Sequence, residues 1–407
     1  MTPSCSGDDD DPIDSTDETD DSSSSDDSDT EEAYTLTSGS ASFNSTTFTS
    51  TSSDENAIKV SGGTLTIDDC TVKKLSGDAT DSDGSSFYGT NAAILASGTG
   101  VVNMTGGTIT TSAKGANGVV AYGGAVTISD VTINCSSNLS RGIHATGGGT
   151  ITASNLTITT AGNNSSVIAT DRGGGTVTVN GGTYTTTGGD CAVLYSTGTI
   201  TVSDITGSSS QGEIGVIEGS NSINITDSDI SSGSSSRGMM ILQSGSGDSE
   251  GYDGEINVTG GSLTTTDDSA PLIEITTSTT GTVTLTDVEL SVASGILMTV
   301  DYNTRWSTTS PVAYLILATE SSASYTGDVT VDSYGTATVT VNSGVTWTGA
   351  YDSDNTGKST TVVVNGTWNL SADSYVDTVT IGEGAVVNLN GHTLNYSKIT
   401  NNGTMNE

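Results

Sequence analysis

A ten-residue phrase recurs nine times between residues 64 and 291, and it confines the chain to one class of architecture. Its copies begin at Thr64 (TLTIDDCTVK), Val101, Ala125, Thr150, Thr176, Thr199, Ser222, Glu255 and Thr282. The second and fourth positions are aliphatic almost throughout (Leu65 and Ile67, Val126 and Ile128, Ile200 and Val202), and the third is only Thr or Asn. Such alternation marks a half-buried strand, because successive side chains point to opposite faces. The sixth position is always Asp, Asn or Gly, as in Asp69, Gly106 and Asn155. These residues tolerate left-handed backbone, so the chain bends there in every copy. The ninth position is again mostly apolar (Val72, Ile109, Ile133), so each phrase is a strand, a corner and a second strand.

A third strand precedes each phrase: AIKV from Ala57, AILA from Ala93, VVAY from Val119, GIHA from Gly142, and so on to GILM from Gly295. Their spacings lie between 23 and 26, except for 36 and 33 at the insertions Lys74–Asn91 and Ser244–Gly254. Three short strands per turn at a period near 24 describe an all-β, single-stranded parallel β-helix. Left-handed β-helices use hexapeptide units and about 18 residues per coil, so the longer turn predicts the right-handed form. One coil buries nothing alone; its inward aliphatics need neighbours about 4.8 Å above and below. From Asn303 the rhythm shortens (ATVTVNSGVTWTG, TTVVVNGTWNL), with Trp347 and Trp368 in matching positions that predict an internal aromatic column. The expected organisation is an acidic stalk over 1–33, regular coils over 34–302 and shorter coils over 303–407.

Charge decides what the surface can meet. The chain has 407 residues, 48 acidic and 10 basic, for a formal net charge of −38. Nucleic acid requires clustered Lys and Arg, and anionic lipid repels such a polyanion, so neither is an expected partner. Residues 1–32 hold 14 of the acids and no base, a composition that predicts a disordered tail. No apolar run approaches the ~20 residues of a membrane span. Cys70, Cys135 and Cys191 fall in different stripes or distant coils and predict small buried hydrophobes, not disulfides.

On these repeats the coils resemble the right-handed β-helix surface proteins of the pectate-lyase-like superfamily, in its adhesin-like, carbohydrate-binding branch. The start Ser4-Cys5-Ser6-Gly7-Asp8 resembles the mature N-terminus of Bacteroidetes surface lipoproteins. That resemblance implies acylation of Cys5 and a lipid anchor in place of a membrane span. Met1–Ser4 leave no room for a charged and then an apolar signal region, which implies a signal truncated upstream. The expected address is the cell surface, as an outer-membrane lipoprotein, or the secreted medium.

Enzymes of this superfamily cut acidic polysaccharides. Lyases need a Lys or Arg base, usually with Ca²⁺, and hydrolases need paired carboxylates. The Asn-Thr-Asp, Gly-His-Gly and Arg-Ile-Lys signatures of its pectin hydrolases are absent. Arg141 and Arg237 share a phase four coils apart, and Asp204 and Asp227 occupy the bend. The resemblance therefore points first to a non-catalytic adhesin or glycan-binding protein, with glycans or host and bacterial surface molecules as partners. A polysaccharide lyase or glycoside hydrolase is the alternative. Ice binding is a minor one, through the stacked outward pairs Thr108/Thr110, Thr132/Asn134, Thr157/Thr159 and Thr183/Thr185.

Candidate glycan contacts are the insertion aromatics Phe87, Tyr88 and Tyr252, each flanked by acids able to bond hydroxyls. The third residues of the third strands form a candidate outward contact column: Leu95, His144, Leu194, Ile217 and Ile241. Glu218 has inward parity on this alignment. No cofactor is required. Asp81 and Asp83 in the first insertion, and Asp352 and Asp354 in an EF-hand-like run whose twelfth position is Val363, are weak Ca²⁺ candidates.

Overall fold

A computed structural model describes residues 30–303 and 309–407. They form a right-handed parallel β-solenoid of about 15 turns with about 24 residues per turn. Each regular coil contributes to three faces. The first carries Val119–Tyr122, Ile143–Thr146, Gly215–Glu218 and Met239–Leu242; the second carries Ala125–Ser129 and Thr199–Ser203; the third carries Thr132–Cys135 and Thr206–Ser209.

Register follows the phrase. Val102, Val126, Ile151, Val177, Ile200, Ile223, Ile256 and Val283 pair in one unbroken column. All are buried, at roughly 1.5–3 kcal/mol of transfer free energy per side chain. Beyond them Leu315, Val339, Val362 and Val379 extend the column through the C-terminal coils. The sixth-position residues are left-handed in all nine copies, with φ between 46° and 69°. Side-chain space decides between Asp and Gly there. A Cβ on Gly106 would lie 2.2 Å from Asp69 Oδ1, and one on Gly260 would lie 2.2 Å from Asp227 Oδ1. Those two coils are thereby held to glycine, whereas Asn155 over Asp130 and Asp227 over Asp204 keep their side chains.

The expected outward Thr pairs stack in register on the third face: Thr108/Thr110 against Thr132/Asn134, then Thr157/Thr159, then Thr183/Thr185. That face's ladder ends at Glu289–Val292, and a separate five-stranded ladder begins at Ala323–Thr326. Tyr325, Trp347, Trp368 and Val387 align along the new ladder. Trp347 and Trp368 are fully buried and stacked, with centroids 5.1 Å apart. Their Nε1 groups donate to Gly327 O (2.9 Å) and Gly349 O (3.0 Å). The tryptophan column is core and not a sugar platform. Cys70, Cys135 and Cys191 are buried free thiols.

The first face differs from expectation by one residue in several coils. Its outward column is Lys59, Leu95, Val120, His144, Ala169, Tyr195, Val216, Met240 and Glu274. Leu194, Ile217 and Ile241 point inward and belong to the main core. Glu218, two residues after Val216, therefore points outward, which removes its anomalous parity.

Candidate functional site

Both insertions fold over the first face. The first contains the helix α1, Ser82–Tyr88, begun by Asp81 as N-cap and ended by Gly89 in a left-handed cap. Side chains from the coils beneath hold its backbone. Asn56 Nδ2 donates to Gly89 O (2.8 Å), Asn117 Nδ2 to Ser85 O (3.0 Å) and the Thr146 hydroxyl to Phe87 O (2.8 Å). The second insertion is tied through Glu218. Its Oε2 accepts the Tyr195 hydroxyl (2.9 Å), and its Oε1 accepts the hydroxyls of Ser244 and Ser246. Gln243 Nε2 closes the loop by donating to Gly251 O (2.8 Å).

Arg172 joins the two. Its guanidinium lies 3.7 Å from the centroid of the Phe87 ring. Its Nη2 donates to Asp248 Oδ1 at 2.6 Å. The insertions thus form one clasp over a small apolar patch outside the main core, which includes Ala169, Tyr195, Val216, Met240 and Leu242.

Under the clasp lies a buried polar cluster. Arg141 Nη2 donates to Asp171 Oδ2 (3.0 Å) and its Nη1 to Ser86 Oγ (3.2 Å). Asp171 Oδ1 accepts the Arg172 amide (2.8 Å). Burial pushes the Asp171 carboxyl up to about 7, against the pull of Arg141; the charges of Asp248 and Glu218 raise it further. His144 Nε2 stands 3.9 Å from Asp171, beyond hydrogen-bond reach, and neither ring nitrogen has a hydrogen-bond partner. Burial, helped by the Arg141 charge, holds its pKa well below the usual imidazole value. A neutral imidazole, a guanidinium and a near-neutral carboxyl could in principle move protons. All three are sealed from solvent. Farther along, Arg237 pairs with Glu274 and stands 3.6 Å from Glu213. Burial pushes Glu274 up to about 7 and raises Glu213.

The open feature lies beside the clasp, over the coils of the same face that carry Lys59, Leu95 and Tyr122. A cavity of about 400 Å³ is lined by Asp54, Asn56, Lys59, Tyr88, Thr90 and Tyr122, among others. Tyr88 and Tyr122 pack edge to face, with centroids 5.4 Å apart, and are 48% and 37% exposed. Asp54 accepts the Thr80 hydroxyl and amide, and these bonds hold its carboxyl below the usual range. It stays ionised, as an acceptor.

The expected contacts are therefore placed unevenly. Tyr88 lines the pocket, and Tyr252 is exposed in the second insertion. Phe87 is only 3% exposed, because its ring is the anvil for Arg172, so it offers no face to a ligand. His144 points outward but is covered, Leu194, Ile217 and Ile241 are core, and of that column only Leu95, itself nearly buried, reaches the pocket lining. Cys5 and most of the 1–33 stalk lie outside the described residues.

Of the Ca²⁺ candidates, Asp81 caps α1 through the Asp83 amide (3.1 Å). Asp352 accepts the amides of Thr356 (3.1 Å) and Gly357 (3.0 Å) within its own turn. Asp354 is exposed. Among the described residues no group of three or more His, Cys, Asp or Glu side chains is arranged to hold a metal. Nor is any helix there long and apolar enough to cross a membrane.

Tyr122, Asp171 and Arg172 were not singled out from sequence, and Asp248, expected only as an acid flanking Tyr252, is instead the buried partner of Arg172. One signal did point to the arginines. The chain has four, and Arg141, Arg172 and Arg237 all serve the first face. No protein-family model, curated protein or solved structure matches the chain.

Proposed function

We propose that this chain is a non-catalytic glycan-binding β-solenoid, displayed outside a bacterial cell in the adhesin-like manner of the pectate-lyase-like proteins its coils resemble. The Tyr88–Tyr122 pocket carries the reading. Two tyrosines packed edge to face offer an apolar ring face and a hydroxyl, and Asp54, Asn56, Lys59 and Thr90 converge on the same space. Sugars present the matching combination of apolar C–H faces and hydroxyl edges. Lipidation of Cys5 would supply the anchor and the acidic N-terminal tract the spacer, with an outer-membrane or secreted address.

Titration of the protein with a glycan panel, wild type against Tyr88→Ala and Tyr122→Ala, tests this. Both side chains are partly exposed, so melting should hold while binding falls. Binding retained by both variants rejects the pocket. The catalytic alternative would rest on Arg141, His144 and Asp171, which a substrate reaches only after the clasp opens. Release of new reducing ends or unsaturated products from the panel would favour that alternative.

A further inference from the structure

Both tyrosines of the pocket are supported by groups that Arg172 also touches. Tyr88 is the last residue of α1, a helix of 7 residues. Isolated helices shorter than about 12–15 residues are marginal in water, so α1 keeps its form through contacts with the rest of the molecule. One of these is the guanidinium of Arg172, 3.7 Å from the centroid of the Phe87 ring. Phe87 in turn packs edge to face on Tyr88, with centroids 6.5 Å apart. Gly89, next in the chain, seats the helix end on the first face. A Cβ there would lie 2.7 Å from side-chain atoms of both Leu95 and Val120.

Tyr122 meets Arg172 by a second route. A Cβ on Gly147 would lie 2.5 Å from the Tyr122 ring, so the ring rests on the Gly147 backbone. The Gly147 amide donates to Arg172 O (3.1 Å). The Thr146 hydroxyl oxygen, one residue earlier, lies 2.8 Å from Phe87 O and 2.9 Å from Arg172 O. Asp248, which holds the guanidinium over Phe87, comes from elsewhere in the chain. Its insertion leaves the strand Met239–Leu242, three coils beyond Ile168–Thr170, and Tyr122 lies two coils to the other side. Five strand spacings, roughly 24 Å, thus separate the root of the second insertion from the pocket. Neither Arg172 nor any of residues 244–254 lines the pocket.

We propose that the second insertion regulates the pocket from this distance. With Asp248 on Arg172, the closed clasp holds Tyr88 against Tyr122 and the site is formed. With the second insertion released, Phe87 loses its cover, the two tyrosine rings part and the site is lost. The inference rests on the glycan-binding reading and supplies the regulation of the same site. Arg172 and Asp248 are positioning residues, acting on a ligand only through Phe87, Gly147 and the tyrosines they support. Linkage makes the effect reciprocal: a molecule that fills the pocket stabilises the closed clasp, and one that captures the released insertion empties the pocket.

Magnetic resonance of protein isotope-labelled on its tyrosine rings tests the coupling without a ligand. The Tyr88 and Tyr122 signals, assigned with Tyr88→Phe and Tyr122→Phe, carry the ring-current shifts of an edge-to-face pair. Asp248→Ala should move both toward the positions of exposed, unpaired tyrosines such as Tyr314 and Tyr396. Asp248→Asn, which keeps the shape of the side chain, should move them the same way and less far. The signals of buried Tyr184 and Tyr351 should stay in place, which excludes misfolding as the cause. Calorimetric titration with cellobiose, lactose, mannobiose and chitobiose reads the same coupling as affinity. A disaccharide bound by the wild type should bind Asp248→Ala about fivefold more weakly, and its saturation of the wild type should slow amide exchange in residues 244–254. Unmoved Tyr88 and Tyr122 signals with unchanged affinity in Asp248→Ala overturn the regulation and leave the pocket standing. Moved signals with none of the four sugars bound by the wild type uphold the coupling and count against the glycan reading alone.

Discussion

Replacing Arg172 with alanine should open both insertions together while leaving the solenoid folded. Asp248 is 1% exposed and Arg172 40% exposed, so their pair is half in solvent. Fully buried pairs cost about 3–5 kcal/mol to break from one side, and exposed pairs contribute about 0–1 kcal/mol. The geometry places this one between, near 1–2 kcal/mol. The guanidinium over Phe87 adds about 0.5–1 kcal/mol. Together the two contacts predict about 2 kcal/mol lost from the clasp, a factor of roughly thirty in its opening equilibrium at about 1.4 kcal/mol per tenfold.

Amide hydrogen exchange is the suitable assay, because local opening appears there without global unfolding. Residues 82–91 and 244–254 should lose protection by that factor, and strands such as Thr199–Ser203 should keep theirs. Asp248→Asn should loosen both segments less, since it leaves the Phe87 contact intact. In a double-mutant cycle Arg172→Ala and Asp248→Ala should couple by about 1 kcal/mol. Loss confined to one insertion would refute the bridge. Loss spreading through the core strands would refute its independence from the solenoid.

Ile151→Asp should cost several kcal/mol in thermal unfolding, because the carboxylate enters the main core without a partner, whereas Thr152→Asp, one residue away and exposed, should be nearly neutral. Stability should fall as pH rises through about 7. Asp171 and Glu274, both pushed up to about 7, hold protons in the folded state that the unfolded chain has already released above about 4. His144 acts oppositely, since its depressed pKa favours the neutral folded form above about 6.5 and costs stability below it. His144→Gln should therefore reduce the loss on the acid side alone, which melting curves at stepped pH would show. With an upstream signal supplied, Cys5→Ala should move the protein out of the membrane fraction; a membrane-bound variant, or Cys5 free of lipid by mass spectrometry, would end the lipoprotein reading.

The second and third faces were legible because water touches one side of each. Their strands alternate, as in Thr199–Ser203 or Thr132–Cys135, and alternation fixes which residues point inward. The first face sits between the core and the clasp, so VVAY, AVLY and MMIL are apolar on both sides and carry no parity. Aligning such runs by their first residue placed Leu194, Ile217 and Ile241 outward, when Tyr195, Val216 and Met240 are the residues that face out. Glu218 held the missing information. A carboxylate cannot face the main core without a partner, so its inward parity was itself a sign that the register had slipped by one. Correcting that slip brings Tyr195 and Glu218 to the same side of the sheet, where they bond. A face apolar on both sides also implies a cover, and the insertions were available to supply one. Their meeting at Arg172 was not legible, because Phe87, Arg172 and Asp248 lie far apart in sequence and no repeat position relates them. The pocket falls where the cover stops. Lys59 and Leu95 occupy the same outward column as buried His144, yet Lys59 is exposed, because α1 ends at Tyr88 before reaching it. The sealed cluster and the open pocket are thus one sheet surface, divided by the length of a single short helix.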